Sequence, residues 1–227
     1  SNVTIKSVAY AIYIHNMNET TISNVTITSS LAILSAENIK ELLVKDSLFK
    51  LNVSLTQETY GIMVKDIYKL TLTKCDLHII TNNSQLLQQY PVVGMKMAGD
   101  FEEIHISDFR AYGYNKTGTG FLGSLSSATT VIIESSIFLQ WYCGLNNSAG
   151  EFTSFVIRNN TIENCTVGIF ISVENVTVFM NRFLNNTLSA YSSIEICFYN
   201  TTTLVGNYWS NYTGVDANND GIGDEPY

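Results

Sequence analysis

The sequence predicts an all-β fold of one kind, a parallel β-helix: a single solenoid of about eight turns with no helix between its strands. Three observations predict it. The stretch 168–186, GIFISVENVTVFMNRFLNN, returns in altered copies on both sides of itself. The copies start at intervals of roughly 21 to 33 residues, a period of repeat arrays. Each copy carries short runs of alternating apolar residues, and nothing in the chain reads as a long amphipathic helix.

A small residue opens each copy, at Ala11, Ala32, Gly61, Gly94, Gly120, Gly144, Gly168 and Ser193. A strand follows with alternating apolar positions: Ile12 and Ile14, Ile62 and Val64, Met95 and Met97, Ile169 and Ile171, Ile194 and Ile196. About ten residues on comes a second strand, as at Leu70 and Leu72, Ile104 and Ile106, or Val176 and Val178. The third element is a short polar residue two before an apolar one: Asp46 and Leu48, Cys75 and Leu77, Ser107 and Phe109, Ser135 and Ile137, Asn160 and Ile162, Asn181 and Phe183, Asn207 and Trp209. One repeat of this size cannot bury its inward side chains alone. It needs the equivalent side chains of the turns above and below, about 4.8 Å away. The polar residue of the third element suits a corner, where Asn and Asp accept left-handed backbone angles and amides can bond along the stack.

In chain order, Asn2 to Ser7 reads as the second strand of a turn whose first part lies elsewhere, leaving an edge that calls for cover. The stretch ENIKELLVK, residues 37–45, is the most helix-like, yet Leu42, Val44 and Leu48 keep the strand register, so it reads as corner plus strand. The longest corners are TNNSQLLQQYP and AYGYNKTGTG, and long loops on one side of a solenoid are where binding sites are built. Tyr90, Tyr112 and Tyr114 there, with Trp141 and Tyr142 further on, form either a sugar-stacking platform or packing against the solenoid wall.

Composition agrees with one elongated core: 227 residues, 45% hydrophobic, only 14% charged, with two prolines. Residues 1–205 are assigned to the β-helix and 206–227 to a closing segment. The net charge of -8 and a mere three arginines, Arg110, Arg158 and Arg182, exclude a nucleic-acid surface. No apolar run approaches the ~18 residues of a membrane-spanning helix.

Four cysteines (75, 143, 165 and 197) show neither CxxC spacing nor a nearby histidine, which argues against zinc or a redox motif. Cys143 and Cys165 fall at similar places in adjacent turns, so they form a disulfide or remain buried thiols. Thirteen N-x-S/T sequons begin at Asn2, Asn18, Asn24, Asn52, Asn82, Asn115, Asn146, Asn159, Asn164, Asn175, Asn185, Asn200 and Asn211. Such density predicts N-linked glycans and an extracellular setting.

At the end of the chain, Asp216, Asn218, Asp220 and Asp224 alternate around Gly221 and Gly223. Oxygen ligands at this spacing, with the carbonyl of Ile222, are what calcium requires; the alternative is an Asx-rich turn that folds without metal. The twelfth position is Tyr227 where an EF-hand has Glu. The run GNYWSNYTGVDANNDGIGDEPY resembles the closing segment of NosD-type parallel β-helix proteins common at archaeal cell surfaces, and the Asn-x-Phe/Trp turns resemble the general β-helix repeat. The resemblance implies a right-handed coil, a surface or periplasmic location and a carbohydrate-binding or sugar-hydrolase ancestry. It also brings an association with copper, for which the soft ligands are His15, Met17, Met95, Met97, His78 and His105; packing explains them better, because they do not cluster.

An enzyme of this fold would draw its carboxylates from Asp66, Asp100, Glu102 and Glu103, with Arg110 beyond; Asp66 and Asp100 read as neighbours, and Glu102 and Glu103 as pointing to opposite sides of a strand. No local motif accompanies them, so the expectation is a non-catalytic one. It is an extracellular structural glycoprotein of a surface layer, appendage or filament, forming a homo-oligomer or polymer. The rival readings are a carbohydrate-binding module and a polysaccharide lyase or glycoside hydrolase.

Overall fold

A computed structural model of the chain describes residues 3–6, 10–29, 31–53, 59–81, 92–215 and 217. Sixteen strands run in chain order: β1 (Val3–Lys6), β2 (Tyr10–Ser23), β3 (Val25–Ser29), β4 (Ala32–Asn52), β5 (Thr59–Ile80), β6 (Val92–Ser107), β7 (Arg110–Tyr112) and β8 (Thr119–Glu134). Then follow β9 (Ile137–Leu139), β10 (Cys143–Arg158), β11 (Thr161–Glu163), β12 (Val167–Ile171), β13 (Val176–Phe179), β14 (Arg182–Leu184), β15 (Leu188–Ser192) and β16 (Tyr208–Trp209). All of their mutual pairings are parallel, and no described residue is helical. This is the expected parallel β-helix, consistent with the right-handed winding of parallel connections.

The turns have three faces. On the first, eight strand segments stack in register through Tyr10, Ala32, Tyr60, Val93, Thr119, Cys143, Val167 and Leu188, which makes seven complete turns where the repeat count suggests about eight. The second face stacks Ile22, Val44, Leu72, Ile106, Ile133, Ile157 and Val178. The third stacks Ile5, Ile27, Phe49, Leu77, Ala111, Phe138, Ile162, Phe183 and Trp209. The inward columns form one continuous buried core. The third-face ladder runs on into the 206–227 segment, since β16 pairs with β14.

Two features of sequence make the stack possible. In the small-residue column Gly61, Gly94, Gly120, Gly144 and Gly168, the turns approach so closely that a Cβ on Gly120 would lie 2.6 Å from the carbonyl oxygen of Gly144, and one on Gly144 would lie 2.7 Å from that of Gly168. The corners bend through left-handed residues. Between the second and third faces these are Asn24, Asp46, Lys74, Asp108, Ser135, Asn159 and Met180, with φ from 50° to 56°.

The structure corrects the register in places. Ile33 occupies the small-residue column where Ala32 was expected, and the last rung is Leu188–Ser192, with Ser189 at the small position in place of Ser193. The inward pairs of the third element are Ser47 with Phe49, Phe109 with Ala111, and Ser136 with Phe138. At 46–49 and 135–138 two polar residues precede two apolar ones, so alternation alone fits either frame. The segment at β1 pairs with Val25–Thr28, which places it on the third face and not the second.

Candidate functional site

The corner before the third face carries the most ordered polar chemistry. Asn160 and Asn181 are buried, with 1% and 0% exposure. The Oδ1 of Asn160, Asn181 and Asn207 accepts the backbone N–H of Ser136, Asn160 and Asn181, each at 3.0 Å. Their Nδ2 groups donate at 2.9 Å to the carbonyls of Ile133, Ile157 and Val178. Each amide therefore joins consecutive turns through backbone and side chain. Ser136 continues the ladder upward, its Oγ accepting from the N–H of Phe109 at 3.1 Å. A second amide, that of Asn186, does the same work at the next corner, accepting from Cys165 N–H at 2.8 Å and donating to Ile162 at 2.9 Å.

Outward on the second face, charged side chains from successive turns pair along the axis. Glu134 sits between His105, whose Nε2 lies 2.8 Å from Oε1, and Arg158, whose Nε and Nη2 donate to Oε2 at 2.8 and 2.7 Å. Burial works to raise the Glu134 pKa, but the hydrogen bonds and charge of His105 and Arg158 outweigh it and hold it below the ordinary carboxylate value. A carboxylate so occupied is a poor proton acceptor. Lys69 pairs with Glu103 at 2.8 Å and, at the end of the first face, Lys65 with Glu37 at 2.7 Å. Sequence reasoning left Glu134 unmarked, and the signal available was a one-turn spacing of about 24 to 29 residues among His105, Glu134 and Arg158.

The carboxylates singled out for catalysis are held in structural bonds. Asp66 and Asp100 are neighbours as expected: Asp66 Oδ1 accepts from the Asp100 N–H at 3.0 Å, at the bulge where Gly99 takes φ +82°. Asp100 accepts from Ser127 at 2.9 Å. Glu102 and Glu103 do not point to opposite sides. Both are on the outside, bonded to Thr129 and Lys69, because two outward residues separate the inward Phe101 and Ile104, just as Lys40 and Glu41 separate Ile39 and Leu42. Arg110 lies on the third face, 3.6 Å from Asp76.

Aromatic residues divide between wall and surface. Trp141 is fully buried and donates its indole N–H to Ala111 at 3.0 Å, and Tyr114 packs partly against the core. Tyr112 stacks on His78 with centroids 4.5 Å apart, and burial lowers the His78 pKa. Tyr142 is exposed. Tyr90 lies outside the described residues.

Cys75, Cys143 and Cys165 are buried free thiols; burial raises their pKa values to about 12, 12 and 11. Cys143 and Cys165 are close enough for the charge of one to raise the pKa of the other. Cys197 is exposed. Of the sequon asparagines, Asn2 and Asn82 lie outside the described residues. Asn18, Asn24, Asn52, Asn115, Asn159, Asn175, Asn185 and Asn211 are exposed, while Asn146, Asn164 and Asn200 are half-buried. Several sit where the fold itself needs asparagine: Asn24, Asn115, Asn159, Asn164, Asn175 and Asn185 adopt φ between 50° and 59°. Asn175 also spends its amide on the Phe152 carbonyl, at 2.7 Å.

The calcium ligand set, Asp216, Asn218, Asp220, Ile222 and Asp224, lies outside the described residues.

With this geometry in place, the comparisons with known proteins are informative. The model of the family described as periplasmic copper-binding protein (NosD) matches residues 115–214. Over those residues the chain resembles that family, and its coil is a parallel β-helix. No curated protein and no solved structure matches it. The NosD match spans the turns with the amide ladder and the later part of the glycine column, Gly120, Gly144 and Gly168, which are features of the coil and not of a metal centre. The described residues do not fit a copper site. Met95 and Met97 are sealed in the core at 1% and 0% exposure. His15, His78 and His105 stand apart, against Glu37, Tyr112 and Glu134, and His15 and Met17 are exposed where packing was expected. Among the described residues no three His, Cys, Asp or Glu side chains converge on a metal position. Nor is any helix there long and apolar enough to cross a membrane.

Proposed function

We propose that this NosD-like protein is a non-catalytic structural element of the cell envelope or its exterior, a rigid glycosylated rod within a surface layer, appendage or filament. The observation that carries the reading is the way the stack spends its polar groups. Charged side chains outside pair along the axis, and amides inside bond turn to turn, so the chemistry is directed at holding rungs together. The periplasmic description of the matching family supports an envelope or extracellular location. Exposed sequons at Asn18, Asn24, Asn52, Asn115, Asn159, Asn175, Asn185 and Asn211 are the candidates for glycans on such a rod, and the acidic 216–224 run is the candidate for a calcium-bound end.

Electron microscopy of the native material tests this, with a lattice or fibres expected. Dispersed monomers there, together with a monomeric mass by light scattering at high protein concentration with calcium, would remove it.

A carbohydrate-binding reading has one observation in its favour. Phe170 and Tyr191 stack on the outside of the first face with centroids 5.5 Å apart, and Tyr191 is 48% exposed. Retention on a polysaccharide panel that is lost in Tyr191→Ala would favour it over the structural role.

A further inference from the structure

The sequons are unevenly shared among the three corners. At the corner that leads from the third face to the first face of the next turn, the N–H groups of Lys116, Gln140 and Asn164 donate to the carbonyls of Gln140, Glu163 and Leu184, and Asn185 N–H donates to Ser210 Oγ at 2.9 Å. Five sequon asparagines stand on or beside that line: Asn52 at the end of β4, Asn115, Asn164, Asn185 and Asn211. Its successive rungs are one strand spacing apart, about 4.8 Å. The corner between the second and third faces is as long, yet only Asn24 and Asn159 among its seven left-handed residues begin a sequon.

Backbone demand does not account for the difference. The second-to-third corner makes the same bend with Asp46, Lys74, Asp108, Ser135 and Met180, and Asn52 and Asn211 are not left-handed at all. Asn52, Asn115, Asn185 and Asn211 are exposed, and no described residue bonds the side-chain amide of the first three. Asn164 is half-buried one rung from Asn185, with its Nδ2 already on Glu163 Oε1 at 3.2 Å. Two sequons away from this corner are closed by the fold. Asn175 Nδ2 donates to the Phe152 carbonyl of the preceding turn at 2.7 Å, so a sugar on that nitrogen would part the two turns. Asn146 lies within the first face, between Leu122 and Phe170 of the adjacent rungs, with its Oδ1 buried.

We propose that the third-to-first edge is a ridge of N-linked oligosaccharide on Asn52, Asn115, Asn185 and Asn211, that Asn146 and Asn175 stay bare, and that the ridge is the side a rod turns to solvent in any assembly. Glycosylation joins Asn Nδ2 to the anomeric carbon of a lipid-linked sugar phosphate. The C–N bond forms, the anomeric C–O bond to phosphate breaks, the lipid phosphate leaves, and Nδ2 loses one proton to a base of the transferase. Sugar hydroxyls are costly to strip of water, so copies of the chain meet through the other sides. The placement rests on the glycosylated-rod reading and adds which edge carries the sugar and where that edge faces.

Glycopeptide mass spectrometry of the native material reads occupancy site by site. Sugar is expected on Asn52, Asn115, Asn185 and Asn211 in most molecules, on Asn18, Asn24 and Asn159 in fewer, and on Asn146 and Asn175 in none. Periodate-oxidised sugar in undissociated native material should take a hydrazide label as fully as it does after dissociation. Sugar on Asn146 or Asn175 in most molecules, or more of it on Asn18, Asn24 and Asn159 than on the ridge, overturns the ridge and leaves the glycosylated rod standing. A label that reacts only after dissociation overturns the outward orientation. A bare polypeptide overturns the ridge together with the glycosylation it rests on, whereas a full ridge on dispersed monomers upholds the ridge and removes the rod alone.

Discussion

Removing one rung of the amide ladder, Asn181→Ala, should destabilise the protein out of proportion to the few atoms lost. Asn181 is fully buried. Its Oδ1 accepts from both the N–H and the Nδ2 of Asn160, and its Nδ2 donates to the carbonyls of Ile157 and Phe179. Alanine leaves the Asn160 N–H without an acceptor and the Ile157 carbonyl without this donor, in a place where water does not reach. A stranded buried polar group costs about 1–3 kcal/mol. Two of them, partly relaxed, give about 3 kcal/mol, or a fall in Tm of roughly 6–12 °C for a chain of this length. Serine provides an internal standard, because Ser136 already does this work two positions up the ladder, accepting the Phe109 N–H. Asn181→Ser should therefore recover about half of the loss. The outward Thr161→Ala should stay within ~0.5 kcal/mol of the parent. Thermal and urea unfolding followed by circular dichroism measures all three. If Asn181→Ala lies within 1 kcal/mol of Thr161→Ala, or serine is no better than alanine, the ladder is ornament and the reasoning fails.

Gly144→Ala puts a methyl group 2.7 Å from the Gly168 carbonyl oxygen and 3.0 Å from Ile162 Cγ2, so the turns must part; a loss of about 2–3 kcal/mol in the same unfolding assay is expected. Glu134 has a folded pKa below its unfolded one, so its contribution is present above the ordinary carboxylate pKa of about 4.3 and is lost as pH falls through the depressed value. Glu134→Gln should flatten that part of the acid limb, by under ~1 kcal/mol because the pair is partly exposed, and an unaltered limb counts against it. Calcium at a hundredfold excess over Kd should add about 2.7 kcal/mol, or roughly 5–11 °C, with chelator or Asp220→Ala removing it; equal melting with and without calcium rejects the ligand set. With burial raising the other three thiols to pKa values of about 11 or 12, the native protein should alkylate at Cys197 alone. After denaturation without reductant, four reactive thiols speak for free cysteines and two for a Cys143–Cys165 bridge.

The fold was legible because its signal is redundant. A single repeat is ambiguous, but Ile169, Leu145, Phe121, Met95 and Ile62 fall in one column at intervals of 24 to 33 residues, and a parallel coil is the arrangement that stacks them. Register was less legible where neighbours were chemically alike. Asp46 and Ser47 both suit a corner, and only the backbone shows that Asp46 makes the left-handed bend while Ser47 turns inward. Outward pairs were nearly invisible. Arg158 stands beside Glu134 one residue after the Ile157 and Ile133 column, and His105 reaches Glu134 diagonally from beside Ile132; the apolar column fixes that register but does not show which outward side chains bond. The sequon signal has a second physical source: a left-handed corner followed by a β-branched strand residue writes N-x-T whether or not a sugar is attached.

The final turn shows how the coil ends. Going down the first face, Ile169 and Ile171 are followed by Ala190 and Ser192, so the inward columns lose most of their apolar bulk in one step. Each lost methylene removes about 0.8 kcal/mol of burial, and an end rung has one neighbour in place of two. Too little then remains to hold residues 194–198 flat against β13. The core is sealed differently, by a plug in which Trp209 stacks on Phe183 at 4.4 Å and meets Phe198 edge-on at 5.9 Å. An aromatic plug covers the end of a hydrophobic column without supplying backbone donors or acceptors. The end of the rod is consequently closed over its core, and Val178 beside it is fully buried, its carbonyl accepting from the Asn207 amide.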